Sequence, residues 1–318
     1  MAGVKAWFAV GLAFLLLAGC AGMGKSSKSS QPKGLMYMSA AEMFPDNPQA
    51  QALALAAGRG DIEEIDRLVA TGADVNALGT YGVAVTEWLL QHPNKAGFRR
   101  ILEHGADPNK IWFIRYDGTE EQLSLLHRSV EKASYIGTDY LRMCLEVGNG
   151  DPNLLPPDKR YRPIQMALRL GNEDAFMMLV NAGAELDYKD KDGHPLVFHA
   201  AASKNFEITL FLLEQGFDYS SSNTGGGIKD IRESINIYLG RHNLARDNTV
   251  PHYMWFWRCV DFLEKRGMVF DYTPKRNRPP AVKPAVLDTI PPLSKSTVQR
   301  MSLTDSVLMH EEIGRAHV

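Results

Sequence analysis

The chain has 318 residues, 45% of them hydrophobic and 23% charged, with a formal net charge of -2. That balance belongs to an ordinary folded protein and excludes a strong electrostatic pull toward nucleic acid. Five tryptophans and 13 phenylalanines supply ample bulk for a core.

Residues 1–19 carry Lys5 ahead of an apolar run, Ala6-Trp7-Phe8-Ala9-Val10-Gly11-Leu12-Ala13-Phe14-Leu15-Leu16-Leu17. A charged start followed by an apolar stretch of this length reads as a secretion signal, too short for a comfortable membrane span. It closes on Leu17-Ala18-Gly19-Cys20, which resembles the bacterial lipoprotein signal. The resemblance implies cleavage before Cys20, a diacylglycerol thioether on its sulfur and acylation of the new amine. Two or more acyl chains pass the threshold for stable anchoring, which a single chain does not. The other reading is a plain signal peptide with an incidental cysteine. Ala21 stands where, in the sorting rule this resembles, an aspartate retains a protein in the inner membrane, so it favours the outer membrane and a chain facing the periplasm. Residues 21–34 are small, polar and basic and read as a flexible tether. Residues 35–47 then form a cap, which makes 20–47 the lipidated tether and cap.

From residue 48 onward one pattern recurs. Its fullest copy is 162–187, where small and long apolar residues at helical spacing predict two short helices joined by a tight turn at Gly171-Asn172, then a glycine stop and an extended exit. The exit returns as Gly72-Ala73-Asp74-Val75-Asn76, Gly105-Ala106-Asp107-Pro108-Asn109, Asn149-Gly150-Asp151-Pro152-Asn153, Gly183-Ala184-Glu185-Leu186-Asp187 and Gly216-Phe217-Asp218-Tyr219-Ser220, and faintly as 267–271. The final residues, at 76, 109, 153, 187, 220 and 271, are 33, 44, 34, 33 and 51 apart. A helix that must stop and turn outward needs a residue tolerant of the left-handed conformation, which Gly and Asn supply. One helix pair cannot bury its own apolar face, so stacking must do so.

A step near 33 built as a turn and two helices resembles the ankyrin repeat. The first-helix motif of that family appears here as Arg162-Pro163-Ile164-Gln165-Met166-Ala167 and Ser124-Leu125-Leu126-His127-Arg128-Ser129. A third copy keeps Asp192-Gly193 and Ala200-Ala201 but has Phe198 in the histidine's place. The resemblance covers 48–273 and implies an all-α ankyrin-repeat solenoid of five to six helix-turn-helix repeats with β-turn fingers.

Between the second and third repeats the step exceeds 33 by 11, and the surplus falls on Lys110-Ile111-Trp112-Phe113-Ile114-Arg115-Tyr116-Asp117-Gly118-Thr119, a β-like aromatic finger. Residues 154–161 and 188–193 supply the next two fingers. After Ser220 a glycine-rich stretch to Gly227 reads as a mobile loop, and the last step is 18 over period, which predicts longer helices around 228–244 and 253–265 in an enlarged capping repeat. Residues 274–312 form a proline-rich tail. The string 313–318 matches the in-frame translation of a common sequencing adapter, so the native terminus is expected to differ.

No reactive constellation emerges. There is no HExxH and no helical cluster of histidines with carboxylates, so no metal and no cofactor are expected. GxSxG, Walker and GxGxxG patterns are missing, and Gly225-Gly226-Gly227 lacks the lysine and setting of a phosphate loop. Once Cys20 is lipidated, Cys144 and Cys259 remain. They lie in repeats three and six, at about 10 Å per repeat, whereas a disulfide needs Cα atoms within about 7 Å, so both read as buried free thiols. His127 matches the family histidine that bonds turn backbone, and His242 and His252 fall beside an aromatic cap at Tyr253, Trp255 and Trp257.

The residues expected to meet a partner are on fingers: Trp112, Phe113, Arg115, Tyr116, Tyr161, Tyr188 and Lys191. Aromatic and Arg side chains give large anchors. For Trp112 and Phe113 the alternative is packing against the neighbouring repeat. The resemblance therefore implies a monomeric, non-catalytic protein that holds an envelope protein. A narrower alternative is an immunity protein or inhibitor neutralising a secreted effector, such as a lipase, that acts in the periplasm. An envelope-maintenance enzyme is disfavoured, since no acid, base or nucleophile stands out.

Overall fold

The computed structural model describes residues 38–116, 119–158, 161–221, 228–241 and 251–271. The signal segment, Cys20, the tether 21–34, residues 35–37 of the cap, the glycine-rich stretch 222–227, His242 and everything from 272, including the proline-rich tail and 313–318, lie outside the described residues. Arg115 and Tyr116 are placed by their backbone pairing alone.

A short cap helix, α1 (Ala40–Met43), precedes six helix pairs among the described residues. The pairs are α2 (Pro48–Arg59) with α3 (Ile62–Ala70), α4 (Val85–Leu89) with α5 (Lys95–Glu103), and α6 (Leu125–Ile136) with α7 (Asp139–Glu146). They continue as α8 (Pro163–Arg169) with α9 (Glu173–Asn181), α10 (Leu196–Ala202) with α11 (Phe206–Glu214), and α12 (Ile231–Arg241) with α13 (Pro251–Glu264). The surplus finger forms an antiparallel hairpin of β1 (Ile111–Tyr116) and β2 (Thr119–Ser124), in register from Ile111 opposite Ser124 to Tyr116 opposite Thr119. The spacing thus yields the expected helical repeat stack, with its one long finger drawn out into strands.

Local chemistry sets the ends of these helices. Ser39 and Glu42 bond each other's backbone N–H at 3.3 and 2.9 Å, closing a capping box on α1. Asn47, Asp61, Asn94, Ser124 and Asn172 each cap a helix by accepting from a backbone N–H three residues on. The stop at Gly72 has φ 98°, and Asn149, in the same place two repeats later, has φ 54°. Both lie in the left-handed region, which satisfies the last carbonyls of the preceding helix.

First helices pack on first helices in the order α2, α4, α6, α8, α10 and α12, while α3, α5 and α7 pack in sequence behind them. The core lies between the two layers and between repeats, with Leu53, Leu89, Phe98, Leu126, Leu168 and Phe176 almost wholly buried. Small residues let the backbones approach. A Cβ on Gly97 of α5 would stand 1.9 Å from the carbonyl oxygen of Ala57 in α2, so no larger residue fits there.

An asparagine ladder joins the exits of the regular repeats. Asn76 accepts from Asp107 N–H at 3.0 Å and donates to the Gly105 carbonyl at 3.3 Å. Asn109 repeats this with Asp151 N–H (2.6 Å) and the Asn149 carbonyl (3.0 Å). Asn153 does so with Glu185 N–H (2.7 Å) and the Gly183 carbonyl (3.0 Å). The next residue in the series is Asp187, whose carboxylate has no hydrogen to donate. Beyond it the stack is held by aromatic bulk instead: Phe206, Tyr238 and Phe256 sit 4.8 to 5.0 Å apart between ring centroids.

Candidate functional site

The surplus between the second and third repeats forms the finger hairpin. Strand alternation turns Trp112 and Ile114 inward, where they are 4% and 5% exposed, and leaves Phe113 between them 43% exposed. Trp112 is therefore corrected from a partner anchor to a packing residue: the period of two allows only one of Trp112 and Phe113 to face outward. Lys110 lies over the Trp112 ring, its Nζ 4.5 Å from the centroid. The hairpin is carried beside the preceding finger, since a Cβ on Gly82 would meet the Phe113 carbonyl oxygen at 2.4 Å.

At its base the hairpin joins an ionic cluster that the sequence reading missed. Arg128 of α6 is surrounded by three carboxylates: Glu87 of α4 (Nε to Oε1, 2.6 Å), Glu131 of its own helix (Nη1 to Oε2, 2.8 Å) and Glu121 of β2, in close contact with Nη2. Burial pushes the Glu87 carboxyl above the usual carboxylate range, against the pull of the Arg128 charge. A signal was present. Glu87 is the third residue of α4, as His127 is of α6 and Gln165 of α8. All three reach into the following repeat: Glu87 to Arg128, His127 Nε2 donating to the Tyr161 carbonyl at 3.1 Å, and Gln165 to His199 at 3.2 Å. His127 also takes a hydrogen bond at Nδ1 from Ser124 Oγ (2.8 Å), and burial pushes its pKa down to about 4, which makes it a neutral structural group.

The remaining finger residues divide. Tyr161 and Tyr188 are half-buried, and each has a ring face covered by an arginine: Arg169 at 4.2 Å from the Tyr161 centroid and Arg162 at 3.8 Å from that of Tyr188. Arg162 is itself held by Glu185 at 2.6 Å. The two tyrosines, expected as open anchors, are thus corrected to partly engaged ones, because each stacks with an arginine of its own or the preceding repeat. Lys191 is exposed. Its neighbour Lys189 reaches Asp218 of the next finger at 2.7 Å and holds that carboxyl down at about 2. In the same finger Asp190 accepts from His199 Nε2 at 2.8 Å and from two backbone N–H groups at 2.9 Å.

Among the described residues, the large apolar side chains left exposed are Leu55 of α2, Leu78 ahead of α4, Phe113 of β1, Tyr135 and Leu170 at the ends of α6 and α8, and Val269. All but Val269 belong to first helices or to the segments that lead into or out of them. The two cysteines are buried and unbridged, and burial pushes the Cys144 thiol up to about 12. His252 lies 2.7 Å from the Tyr238 hydroxyl and 5.1 Å, between ring centroids, from Phe206. Among the described residues no three His, Cys, Asp or Glu side chains are grouped to hold a metal ion, and no helix is long and apolar enough to cross a membrane.

No protein-family model matches the chain. Over 114 residues, 36% of this chain and 78% of the other protein, it is 30% identical to cyclin-dependent kinase 4 inhibitor B of Rattus norvegicus. It is also similar to the crystal structure of the ankyrin repeat domain of Bcl-3, described as a unique member of the IkappaB protein family. That likeness has a TM-score of 0.51, 18% identity, and covers 72% of this chain and 89% of that one, a likeness of fold alone.

Proposed function

Because this chain belongs to the ankyrin-repeat family, we propose that it works without catalysis, by holding another protein against its first helices and fingers. One observation carries this. Among the described residues, Leu55 of α2, Tyr135 of α6, and Leu78 and Phe113 of adjoining fingers are large apolar side chains left exposed. Large apolar side chains presented by first helices and fingers are the anchors such a contact would use. The anchor belongs to the same proposal. Cys20, acylated within Leu17-Ala18-Gly19-Cys20, tethers the stack through residues 21–34 to the periplasmic side of a bacterial outer membrane. Capture of cross-linked partners by the full chain in envelope extracts tests the surface: Phe113→Ala combined with Leu78→Ser should deplete a specific partner, and unchanged capture of every species rejects the surface. Cys20→Ser should shift the protein from the membrane to the soluble fraction, and lipid labelling that survives this change rejects the anchor.

A narrower reading is an inhibitor or immunity protein for a toxic effector delivered to the periplasm. The relative named for inhibiting a kinase favours it, since blocking an enzyme by contact requires only a surface and the right location. A deletion strain that withstands attack by sibling cells as well as its parent would exclude it.

A further inference from the structure

The charge of the Arg128 cluster does not balance. One guanidinium faces three carboxylates, of which Glu121 and Glu131 are 48% and 37% exposed and Glu87 only 10%. Water can solvate the first two. It barely reaches the third. Among the described residues no further cation offsets the surplus: the charged residue of α2, Arg59, is drawn to Asp61 at 3.9 Å. On α5, Lys95 is held by Asp139, Arg99 by Glu103, and Arg100 by Asp66 and Glu103. Glu87 therefore faces one cation, Arg128, and two anions, Glu131 of α6 and Glu121 of β2.

We propose that this cluster is a proton-operated clasp on the finger hairpin: a proton taken up by Glu87 from water seats the hairpin more firmly on the second and third repeats. The physics is reciprocal. The hairpin brings the Glu121 carboxylate to Arg128, beside Glu87, and an added anion favours the neutral form of Glu87. By linkage, the neutral form of Glu87 favours the arrival of Glu121 by the same free energy. With Glu87 neutral, the Arg128 fork is left to Glu121 and Glu131, and the hairpin's own carboxylate binds it without a buried competitor. Burial of Glu87 acts in the same sense. The exposed Phe113 rides on the strand paired with β2, so a partner held there is gripped more tightly in mild acid. That consequence rests on the binding surface proposed above, whereas the clasp itself does not.

Hydrogen exchange on the full chain tests the clasp with no partner present. Protection of the Ile111–Tyr116 and Thr119–Ser124 amides, corrected for intrinsic rate and divided by that of α8 and α9, is measured at pH 7.5 and 5.5. The wild-type ratio should rise about threefold in acid, the worth of one partly exposed charge pair. Glu87→Gln should show the higher ratio at both pH values. Glu121→Gln, which changes only a partly exposed residue, should abolish the pH dependence. A wild-type ratio that does not change with pH, or either variant keeping the wild-type slope, overturns the clasp. Failure to capture a partner would leave this result standing, and a flat ratio would leave the binding surface standing.

Discussion

At the seam between the first and second repeats, Arg100 of α5 grips Asp66 of α3 through two hydrogen bonds of 2.6 and 2.8 Å, and His104 adds a third contact at 2.6 Å. At the next seam, Arg128 of α6 meets Glu87 of α4 at 2.6 Å, but shares itself with Glu121 and Glu131. The first carboxylate is 39% exposed and is held far below the usual range, at about 2, by the bonds from Arg100 and then His104. The second is buried and is pushed upward. Two contacts of equal length thus respond to protons with opposite sign. Stoichiometry and solvation, rather than the presence of a salt bridge, decide what an ionic seam contributes.

The strongest way to break this comparison is Arg128→Met. It leaves Glu87 buried without its cation, a change that costs about 3 kcal/mol or more. Since Glu87 can then escape by taking up a proton, the loss in urea midpoint should be larger at pH 8 than at pH 5.5, and Glu87→Gln added to it should recover over half of the loss. The next effect separates sterics from charge at the first seam. Gly97→Ala puts a methyl group against the Ala57 carbonyl and should cost about 2 kcal/mol, equally at every pH, by thermal unfolding. Smaller again is the ladder. Asn109→Ala removes both amide bonds between the second and third exits and should cost about 1 kcal/mol. Asp187→Asn, which restores a donor where the ladder stops, should raise stability by about half that amount.

What could be read beforehand follows from how local each cause is. The repeat, its glycine stops and the turn at Gly171-Asn172 depend on residues within a few positions of one another, and each was legible. So was the hairpin, because a step 11 over period, with its surplus rich in Ile, Trp and Phe, had to be accommodated. The inward turn of Trp112 needed only the alternation along β1, a signal that was present and unused. The Asn and Asp of each exit divide their roles in a way no local pattern discloses: Asp107 accepts from Asn109 N–H within its own turn at 2.8 Å, while Asn109 reaches the next repeat. Likewise Glu87 meets a partner 41 positions on, and Arg162 covers a tyrosine 26 positions on. Such pairings depend on the rotation between stacked repeats, which composition and spacing do not contain.

The finest test of the contrast is a pair of pH profiles. Asp66 has a folded pKa of about 2 against 3.8 when free, so its contribution is present in full above 3.8 and is lost as pH falls toward about 2. Wild type should therefore exceed Asp66→Asn in urea midpoint at pH 6, with the gap closing as pH drops through 3.8 toward 3. Glu87 runs the other way. Its folded pKa lies above 4.5, so wild type loses ground to Glu87→Gln as pH climbs from 4.5 through the raised value, and the deficit is constant above it. The two difference curves should diverge from acid to neutral, one rising and the other falling. Parallel curves would mean that Glu87 behaves as an ordinary paired carboxylate and that the second seam is no different from the first.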